Sequence, residues 1–465
     1  MSEAAPARRL CLIELNEFSV SLLRRGVEAL RLPHVAHLLS MRASATTTDD
    51  AVEHRGLDPW VQWVSVHTGV PASVHGVRHL GEAPLRLQYP QLWEILSTQG
   101  ISSGVWGAMN AGRGNAERCR FFLPDPWSVA EPAHPRALNR LLALPRYYAR
   151  NYLEVSAPAV LRGVLGFAQF VVGSGSVLRL LRQLPFALGG LRRAGANNAL
   201  LFALFDLINC VLFTRFKRHH APQFSLIFLN SLAHLQHHRW SAVGPPGQAL
   251  AFGLRAIDRC LGLLFAALAE GEAVLVMNAL TQRNIVGETP RICYRQISPT
   301  RFLESIGLGC RQVQQLMTND AHVDFDSAAQ RDAAAAALAR AQIAGAALFQ
   351  VEVRADELCR LFYQVDCWDE LADECEVEIN GRRIRFFDHF EAIVARTGAH
   401  VPAGDCFACG IELPPQLYNH EVAGHVLGYF GIDCPVASSG APAGGVPATE
   451  DFPIPSQAAS SVCVE

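Results

Sequence analysis

The stretch FSLIFLNSLAHLQHHRW, residues 224–240, decides how the rest of the chain is interpreted. Its first six residues form a continuous apolar run, which is typical of a strand buried in a parallel sheet. Four polar side chains with ligand atoms follow at once, namely Asn230, His234, His237 and His238. Open α/β sheets bind ligands just beyond the carboxyl ends of their strands, so we predict a functional site here. The alternative is a surface helix whose first turns are rich in histidine.

The composition is that of a globular chain with a large core. Half of the 465 residues are apolar, which is enough for one elaborated α/β domain or for two domains. The formal net charge is −3. Because the chain has no general basic field, we expect no nucleic-acid partner.

Thirteen cysteines are scattered along the chain, and the start MSEAAPARR leads directly into a strand-like run without a secretory signal. We therefore expect a cytoplasmic protein with reduced thiols. The one C-x-x-C pair, Cys406 and Cys409, falls in a strand-like segment and has no second pair. This context makes a zinc or redox motif the less favoured interpretation.

No apolar run reaches the roughly 18 to 20 residues that a spanning helix needs. The nearest is NALLFALFDLINCVLF, residues 198–213, which Asp206 interrupts and RFKRHH follows. An apolar segment punctuated by arginines, residues 155–195, precedes it. Residues 155–216 could therefore lie against a membrane surface as a peripheral contact, or they could be core helices of an insertion. The latter interpretation is favoured.

Strand and helix patterns alternate near both ends of the chain. RLCLIEL, residues 9–15, predicts a first buried strand, and a helix follows it. WVQWVSVHTG predicts a helix that starts after Pro59, since proline suits a first helical turn, and ends at Gly69. Further apolar runs end at Asn110 and Asn278. The predicted fold class is α/β, with a mixed, mostly parallel sheet flanked by helices.

Changes of pattern divide the chain into six segments. We expect residues 1–120, 223–299 and 391–435 to build the core. Long Leu/Arg patterns predict an α-helical insertion over 121–222. Short helices and strands around a polyalanine helix at 333–347 predict a small α+β cap over 300–390. The Pro/Ala/Ser/Gly-rich segment 436–465 is predicted to be a disordered tail.

Four landmarks, in this order, resemble the alkaline phosphatase superfamily, and specifically its type I phosphodiesterase/nucleotide pyrophosphatase branch. They are LCLIELNEFSVSLL (10–23), HTGVPASVHGV (67–77), NSLAH (230–234) and TGAHVPAGDCFACGI (397–411). HTGVPASVHGV resembles the TG-x5-HG segment of the family, NSLAH has its D-x3-H spacing, and TGAHVPAGDCFACGI resembles its G-x-H-x-P-x-G element. The resemblance covers roughly residues 9 to 435 and implies an alkaline-phosphatase-like core.

The resemblance also implies a phosphoester hydrolase that uses two zinc ions and a Thr or Ser nucleophile. In this sequence the first family aspartate falls on Asn16. The nucleophile position falls on Pro59, with Asp58 beside it. The later Asp-His pair falls on Asn278 and Ala279.

One metal half-site of the family survives as Asn230, His234 and His400. The other loses its carboxylates, and an amide does not offset the charge of a second divalent ion as a carboxylate does. We therefore expect a degenerate site that binds one divalent ion, zinc or manganese. The residues available to complete the ligand set are His237, Glu14 and Glu17.

The asparagines suggest a neutral pocket. Asn16, Asn110, Asn230 and Asn278 offer donors and acceptors that suit a sugar, a phosphate or a carboxylate. We predict that Asn16, Asn110 and Asn278 bind substrate. The alternative is chance drift in a pseudoenzyme.

Three residues are candidates for catalysis. Asp58 is the carboxylate nearest to the nucleophile position, although it is also suited to be the N-terminal residue of the helix after it. His237 and His238 are candidate acid/base groups near pH 7. Further histidines are available to line the same mouth, namely His54, His67, His75 and His79, with a structural role favoured for His75.

Three functions are compatible with these residues. The first is a hydrolase or transferase that acts on a phosphorylated or related small molecule. The second is a non-catalytic ligand-binding protein on the same scaffold. The third is a membrane-surface protein that handles a lipid-linked substrate.

Overall fold

The structure is a computed structural model that describes residues 8–433 apart from 53–56, 152, 154, 196–197, 242–244, 290 and 317–318. Two predictions fall outside the described residues, the disordered tail 436–465 and the position of His54.

Strands and helices alternate in the first part of the chain. The elements are β1 (Leu10–Leu15), α1 (Val20–Ala29), α2 (Pro33–Ser40), β2 (Arg42–Thr47), α3 (Pro59–Thr68), α4 (Ala72–His75), α5 (Ala83–Arg86), α6 (Leu92–Thr98), β3 (Ser103–Ala108) and β4 (Cys119–Pro124). Helix α3 begins at Pro59, as predicted. It ends before Gly69, whose φ of 74° gives the left-handed cap that glycine adopts without strain.

Helices replace this alternation in the next part of the chain. They are α7 (Asn139–Asn151), α8 (Ala157–Gly173), α9 (Val177–Leu181), α10 (Leu184–Ala194) and α11 (Asn198–His220). Residues 121–124 belong to β4, and the first of these helices begins at Asn139. None of the described helices is by itself long and apolar enough to cross a membrane. Helix α8 and the stretch Val177–Arg193 together have the length and the composition of a membrane-crossing segment, but they are bent by 111° relative to each other.

The core resumes with the stretch FSLIFLNSLAHLQHHRW, residues 224–240. The elements are β5 (Phe224–Leu229), α12 (Ser231–Arg239), α13 (Gln248–Phe265), β6 (Ala273–Met277), β7 (Thr281–Asn284) and β8 (Ile292–Gln296). The predicted buried strand is β5. Helix α12 carries His234, His237 and His238 directly after it.

The next part of the chain has its own small sheets and its own core. The elements are α14 (Pro299–Ser305), β9 (Gln312–Gln315), β10 (Asp320–Asp324), α15 (Ala328–Ala339), β11 (Gln342–Ile343), β12 (Ala346–Ala347), β13 (Phe349–Glu352), β14 (Arg360–Val365), β15 (Glu376–Ile379) and β16 (Arg382–Arg385). Two antiparallel sheets, β13–β14–β10–β9 and β12–β11–β15–β16, enclose an apolar cluster around Phe302, Tyr363 and Phe386.

The polyalanine helix is shorter than predicted. The sequence predicts it over 333–347, but α15 ends at Ala339. Ala344 and Gly345 adopt φ values of 50° and 82°, which turn the chain between β11 and β12. A turn at these two residues cannot continue a right-handed helix.

The last elements return to the core. They are β17 (Phe390–Ala395), β18 (Gly398–Val401), β19 (Gly404–Cys409), β20 (Gln416–Tyr418) and α16 (Val422–Tyr429). Strand β17 pairs with β8, and β18 pairs with β7. In β19, Cys406 is buried and Cys409 is exposed, because residues three apart on a strand face opposite sides.

An eight-stranded sheet organises the core, in the order β20–β2–β19–β6–β1–β5–β3–β4. Its pairs are parallel except where β19 runs antiparallel to β2 and β6. One apolar cluster lies against α1, α2 and α11 to α13, and a second lies against α6 and α16. The predicted α/β class, with a mostly parallel sheet flanked by helices, is confirmed. The six segment boundaries stay predictions.

The four middle parallel strands place polar residues at one edge of this sheet. The neighbours β6, β1, β5 and β3 are followed by Asn278, Asn16, Asn230 and Asn110. Because parallel strands end at the same edge, the candidate residues of the sequence analysis gather there.

Asp206, which interrupts the apolar run of α11, is a buried cap for α12. Its carboxylate accepts hydrogen bonds from the main-chain N–H groups of Asn230 (3.3 Å) and Ser231 (2.8 Å). The first N–H groups of a helix lack partners within the helix, so Asp206 fixes where α12 begins. Burial raises the pKa of Asp206 to about 6.

We expect Asp206→Ala to lower the free energy of unfolding by about 1–3 kcal/mol, because it leaves buried N–H groups of α12 without acceptors. Asp206→Asn keeps one carbonyl oxygen and should cost less. Urea unfolding followed by circular dichroism near neutral pH measures both variants. Equal stability of Asp206→Ala and wild type would contradict the capping role.

Candidate functional site

Three ligand atoms from three separate elements converge beyond the carboxyl end of β1. Glu17 Oε2 lies 3.1 Å from His237 Nε2 and 3.1 Å from His400 Nε2, and the two nitrogens are 3.3 Å apart. Glu17 lies in the turn after β1, His237 on α12 and His400 on β18. We call this set the Glu17–His237–His400 group.

The outer nitrogens of both imidazoles face main-chain carbonyls. His400 Nδ1 lies 3.0 Å from the carbonyl oxygen of Leu57, and His237 Nδ1 lies 3.4 Å from that of Gly398. A carbonyl only accepts, so Nδ1 carries the proton and donates in each ring. The Nε2 atom of a neutral ring then presents its lone pair to the centre of the group. Metal-binding histidines are commonly oriented in this way.

The group attracts a positive charge. Burial alone would raise the pKa of Glu17, but attraction from His400 and His237 outweighs it and holds that pKa well below its usual range. Burial also opposes protonation of His400, yet the Glu17 carboxylate raises the pKa of His400. Burial lowers the pKa of His237. A proton on His400 or a bound cation would relieve the repulsion between the three electron-rich atoms.

The spacing of the group fits a metal ion. A tetrahedral ion with bonds of about 2.0–2.1 Å separates its ligand atoms by about 3.3–3.4 Å, close to the three distances observed. Two imidazoles and one carboxylate are a donor set of catalytic zinc and non-haem iron sites. The side chains of Glu17, His237 and His400 are 3%, 14% and 16% exposed. The spacing and the donor types therefore fit one divalent ion at a largely buried position.

Glu17 is held in an unusual conformation. Its φ of 56° lies in the left-handed region, which costs a residue with a side chain about 1–3 kcal/mol. Asn16 Nδ2 (2.9 Å) and Gln282 Nε2 donate to its carboxylate. Gln236 Nε2 donates to its main-chain carbonyl at 2.6 Å. These amides hold the turn and aim the carboxylate at the imidazoles.

Asn16 supports the group from behind. Besides its bond to Glu17, its Nδ2 donates to Asn230 Oδ1 at 2.7 Å, and its Oδ1 accepts from Trp63 Nε1 at 2.8 Å. Asn16 is only 1% exposed. Both N–H groups of the Asn16 side chain are therefore directed at protein groups, one of which is the Glu17 carboxylate, and its contact with substrate stays a prediction.

Asn110 is also occupied by the protein. Its Nδ2 donates to the carbonyls of Trp60 and His79, both at 3.0 Å, and its Oδ1 accepts from the N–H of Ala83 at 3.0 Å. The side chain is buried. Asn110 thus joins three loops through its side chain, and its substrate contact stays a prediction.

Asn278 fixes two further loops. Its Nδ2 donates to the carbonyl of Phe18 at 2.6 Å, and its Oδ1 accepts from the N–H of Asp405 at 2.7 Å. It is fully buried. Asn278 thus ties the turn after β1 to the start of β19, and its substrate contact stays a prediction.

His234 lies beside the group and not in it. Its ring stacks on Phe202 with the centroids 4.0 Å apart, and its Nε2 lies 3.4 Å from Asn230 Nδ2. Burial lowers the pKa of His234 to about 4, so the ring is neutral near pH 7. Among the described His, Cys, Asp and Glu residues, the group whose ligand atoms all lie within 4.8 Å of one another is Glu17, His237 and His400. It shares only His400 with the expected trio of Asn230, His234 and His400, which stays a prediction.

His238 is poorly suited to the predicted acid/base role. Burial lowers its pKa to about 3, so the ring stays neutral at physiological pH. Its Nδ1 has no hydrogen-bond partner among the described residues, and its ring centroid is 5.9 Å from that of His237. His237, the other predicted acid/base group, belongs to the ligand set instead.

Asp58 lies next to the group, at the start of α3. Its carboxylate makes no N-cap hydrogen bond. Burial raises the pKa of Asp58 to about 7, and the carboxylate interacts electrostatically with His400, Arg396 and Glu17. The N-terminus of α3 is also the positive end of the helix dipole. Asp58 is thus a buried carboxylate with both positive and negative neighbours.

The other candidates lie elsewhere. Glu14 is buried in the sheet, with its Oε1 2.6 Å from Nε2 of the buried His67. His75 bonds within the turn after α4, and His79 stacks against Phe362 of β14. Glu14 therefore does not complete the ligand set.

Sequence reasoning missed two supporting residues, Gln236 and Gln282. Both are buried, and both donate to Glu17. Gln282 stands opposite His400 in the β7–β18 pair. Their spacing in the sequence carries no signal of this role, because it depends on how α12 and β7 meet the turn after β1.

No protein-family model and no curated protein matches the sequence. Phosphonoacetate hydrolase from Sinorhizobium meliloti 1021, in complex with phosphonoformate, aligns with a TM-score of 0.42 and 13% identity over 91% of this chain and 96% of that chain. Murine ectonucleotide pyrophosphatase/phosphodiesterase 5, in complex with AMP, aligns with a TM-score of 0.45 and 9% identity over 92% of this chain and 96% of that chain. The human ectonucleotide pyrophosphatase/phosphodiesterase 5 aligns with a TM-score of 0.44 and 10% identity over 91% of this chain and 95% of that chain. Similarity at this level carries no argument about the site.

Gly398 sets the distance between α12 and β18. A Cβ at this position would clash with Gln282 Oε1 and would lie 2.8 Å from the main-chain carbonyl oxygen of Gln236. We expect Gly398→Ala to push the two elements apart, to lower the free energy of unfolding by about 1–3 kcal/mol, and to weaken zinc binding by separating His237 from His400. Urea unfolding and zinc titration measure the two effects.

Gly428→Ala is the matched control for this prediction. A Cβ at Gly428, in α16, meets no atom within 4 Å. Alanine is the better helix former, so this variant should be as stable as wild type or more stable. Wild-type stability and zinc affinity in Gly398→Ala would contradict the packing account.

Proposed function

We propose that the chain is a hydrolase or transferase that acts on a phosphorylated or related small molecule with one divalent ion, zinc or manganese, held by Glu17, His237 and His400. The observation that carries this proposal is the convergence of their three ligand atoms at 3.1, 3.1 and 3.3 Å. The four landmarks that resemble the alkaline phosphatase superfamily support phosphoester chemistry.

We propose one ion because the positions for a second are degenerate. Asn16 and Asn278 stand where the resemblance implies aspartates, and both direct their N–H groups at the protein. Ala279, where the resemblance implies a histidine, has no ligand atom. Neutral amides do not offset the charge of a second divalent ion.

A bound ion would supply Lewis acidity to a phosphoryl oxygen and would acidify a bound water. Arg396 would supply the complementary charge for an anionic substrate. Its guanidinium carbon lies 5.2 Å from the centroid of the Trp368 ring, and its charge opposes the rise that burial causes in the pKa of Asp58. The same charge acts on His237 and His400, so this positive side chain lies near the group.

Asp58 is the proposed nucleophile. Its oxygen would bond to phosphorus while the bond to the leaving alkoxide breaks, and the alkoxide would take a proton from water. A second water would then release phosphate and restore the carboxylate. The position of Asp58 beside Pro59, where the resemblance places the nucleophile, and its lack of an N-cap bond support this role.

Metal analysis tests the ligand set. We expect the purified full chain to bind about one zinc ion, and we expect His237→Ala and His400→Ala to lose more affinity than the roughly 10–100-fold that an outer-shell change costs. His234→Ala is the matched control, since it removes a histidine of the same helix that lies outside the group. Loss of zinc in His234→Ala alone would restore the trio expected from sequence, and no zinc in wild type would overturn the metal proposal.

Turnover tests the catalytic role of Asp58. With p-nitrophenyl phosphate and bis(p-nitrophenyl) phosphate as probes, we expect Asp58→Asn to bind zinc normally and to lose at least about 100-fold in kcat. The control is Asp332→Asn, an aspartate of α15 whose side chain is 62% exposed. Zinc binding without turnover of either ester by wild type would favour the ligand-binding pseudoenzyme.

We also propose a peripheral membrane contact within residues 155–216. The specific observation in its favour is the concentration of exposed apolar side chains in this stretch. A lipid-linked substrate would suit such a contact.

A further inference from the structure

We infer that α8, α9, α10 and the first turns of α11 form a surface that docks on an anionic lipid bilayer. Twelve of the seventeen large apolar side chains that are exposed in the described part of the chain lie between residues 155 and 205. The same stretch contains five arginines and no Asp or Glu. Apolar side chains combined with positive charge are what interfacial helices present to anionic membranes.

The exposed side chains follow the helical repeat. On α8 they are Leu161, Val164, Leu165 and Val172, which are 45–68% exposed. On α10, Leu184, Leu188 and Leu191 are 44–51% exposed. Residues three, four and seven apart share one face of a helix, so each helix turns an apolar stripe towards solvent. Exposed apolar side chains concentrated in one stretch mark an interaction site.

The stripes are the outer faces of helices that are packed on their other side. Phe170 and Val171 of α8 are buried. A Cβ at Gly163 would lie 2.8 Å from Leu144 Cβ of α7, and Gly190 of α10 lies against Phe252 of α13. The inner faces of these helices are therefore already packed, and the exposed leucines lie on their outer faces.

The arginines decide between a bilayer and a second copy of the chain. Arg162, Arg182, Arg192 and Arg193 are exposed. A two-fold contact between two such faces would bring charges of one sign together, which is unfavourable. An anionic bilayer offers phosphate groups to the arginines and an apolar layer to the leucines.

Helix α11 connects this surface with the candidate site. Leu201 and Phe205 are 57% and 40% exposed, and Phe202 between them stacks on His234. Asp206 then caps α12, which carries His237. A bilayer on this surface would therefore lie near the Glu17–His237–His400 group. The inference sharpens the proposed membrane contact and does not depend on hydrolysis, because vesicle binding is measured without substrate.

Vesicle flotation of the full chain tests the surface. We expect binding to phosphatidylcholine vesicles that contain phosphatidylglycerol, at least about tenfold weaker binding to phosphatidylcholine alone, and weaker binding as salt is raised. The double variant Leu178→Asp/Leu188→Asp should abolish flotation. Arg192→Glu/Arg193→Glu should remove the preference for phosphatidylglycerol.

Leu358→Asp is the matched control. Leu358 lies between β13 and β14 and is 71% exposed, as is Leu178, so the two substitutions place a charge at equally open positions. Circular dichroism and thermal unfolding establish that every variant is folded. Three outcomes would overturn the inference: no flotation of wild type, equal loss in Leu358→Asp, or a wild-type dimer in light scattering that Leu178→Asp/Leu188→Asp dissociates without any vesicle binding.

Discussion

The arrangement of the site depends on one interaction, the approach of the Glu17 carboxylate to the Nε2 atoms of His237 and His400. Each partner arrives from a different part of the chain, so the group exists only if β1, α12 and β18 end in the correct places. Asp206 fixes the start of α12, the β7–β18 pair carries His400, and the left-handed turn at Glu17 directs the carboxylate inward. The surrounding amides of Asn16, Gln236 and Gln282 offset the cost of that turn.

This construction explains the three asparagines where the sequence resemblance implies aspartates. Asn16 donates to Glu17 and to Asn230, and Asn278 bridges Phe18 and Asp405. A carboxylate at Asn16 could not donate to Glu17 and would repel it. In the proposed arrangement, the amides occupy the positions of a second metal site and form a rigid frame around a single carboxylate. An alkaline-phosphatase-like scaffold with one relocated ion is the proposal that follows.

Much of the architecture was predictable, because apolar runs such as Phe224–Leu229 and signals such as Pro59 and Gly69 act locally. The site was predictable only in part. The sequence indicates His400 and the stretch after β5 as candidates, and the rotation of α12 turns His237 to Glu17 and His234 to Phe202. A sequence does not show that rotation, nor the positive φ of Glu17. The sequence also does not show which apolar side chains of residues 155–195 are buried, because these helices are apolar on both sides. Only the tertiary contacts separate the buried side chains from the exposed ones.

The central claim is the position of the ion, and a crystal structure of the full chain grown with zinc, with diffraction recorded on both sides of the zinc absorption edge, tests it most directly. The account predicts one anomalous peak bounded by Glu17 Oε2, His237 Nε2 and His400 Nε2, with the protein contacts of Asn16 and Asn278 unchanged. A peak between Asn230 and His234, two adjacent peaks, or no peak at this edge of the sheet would contradict it.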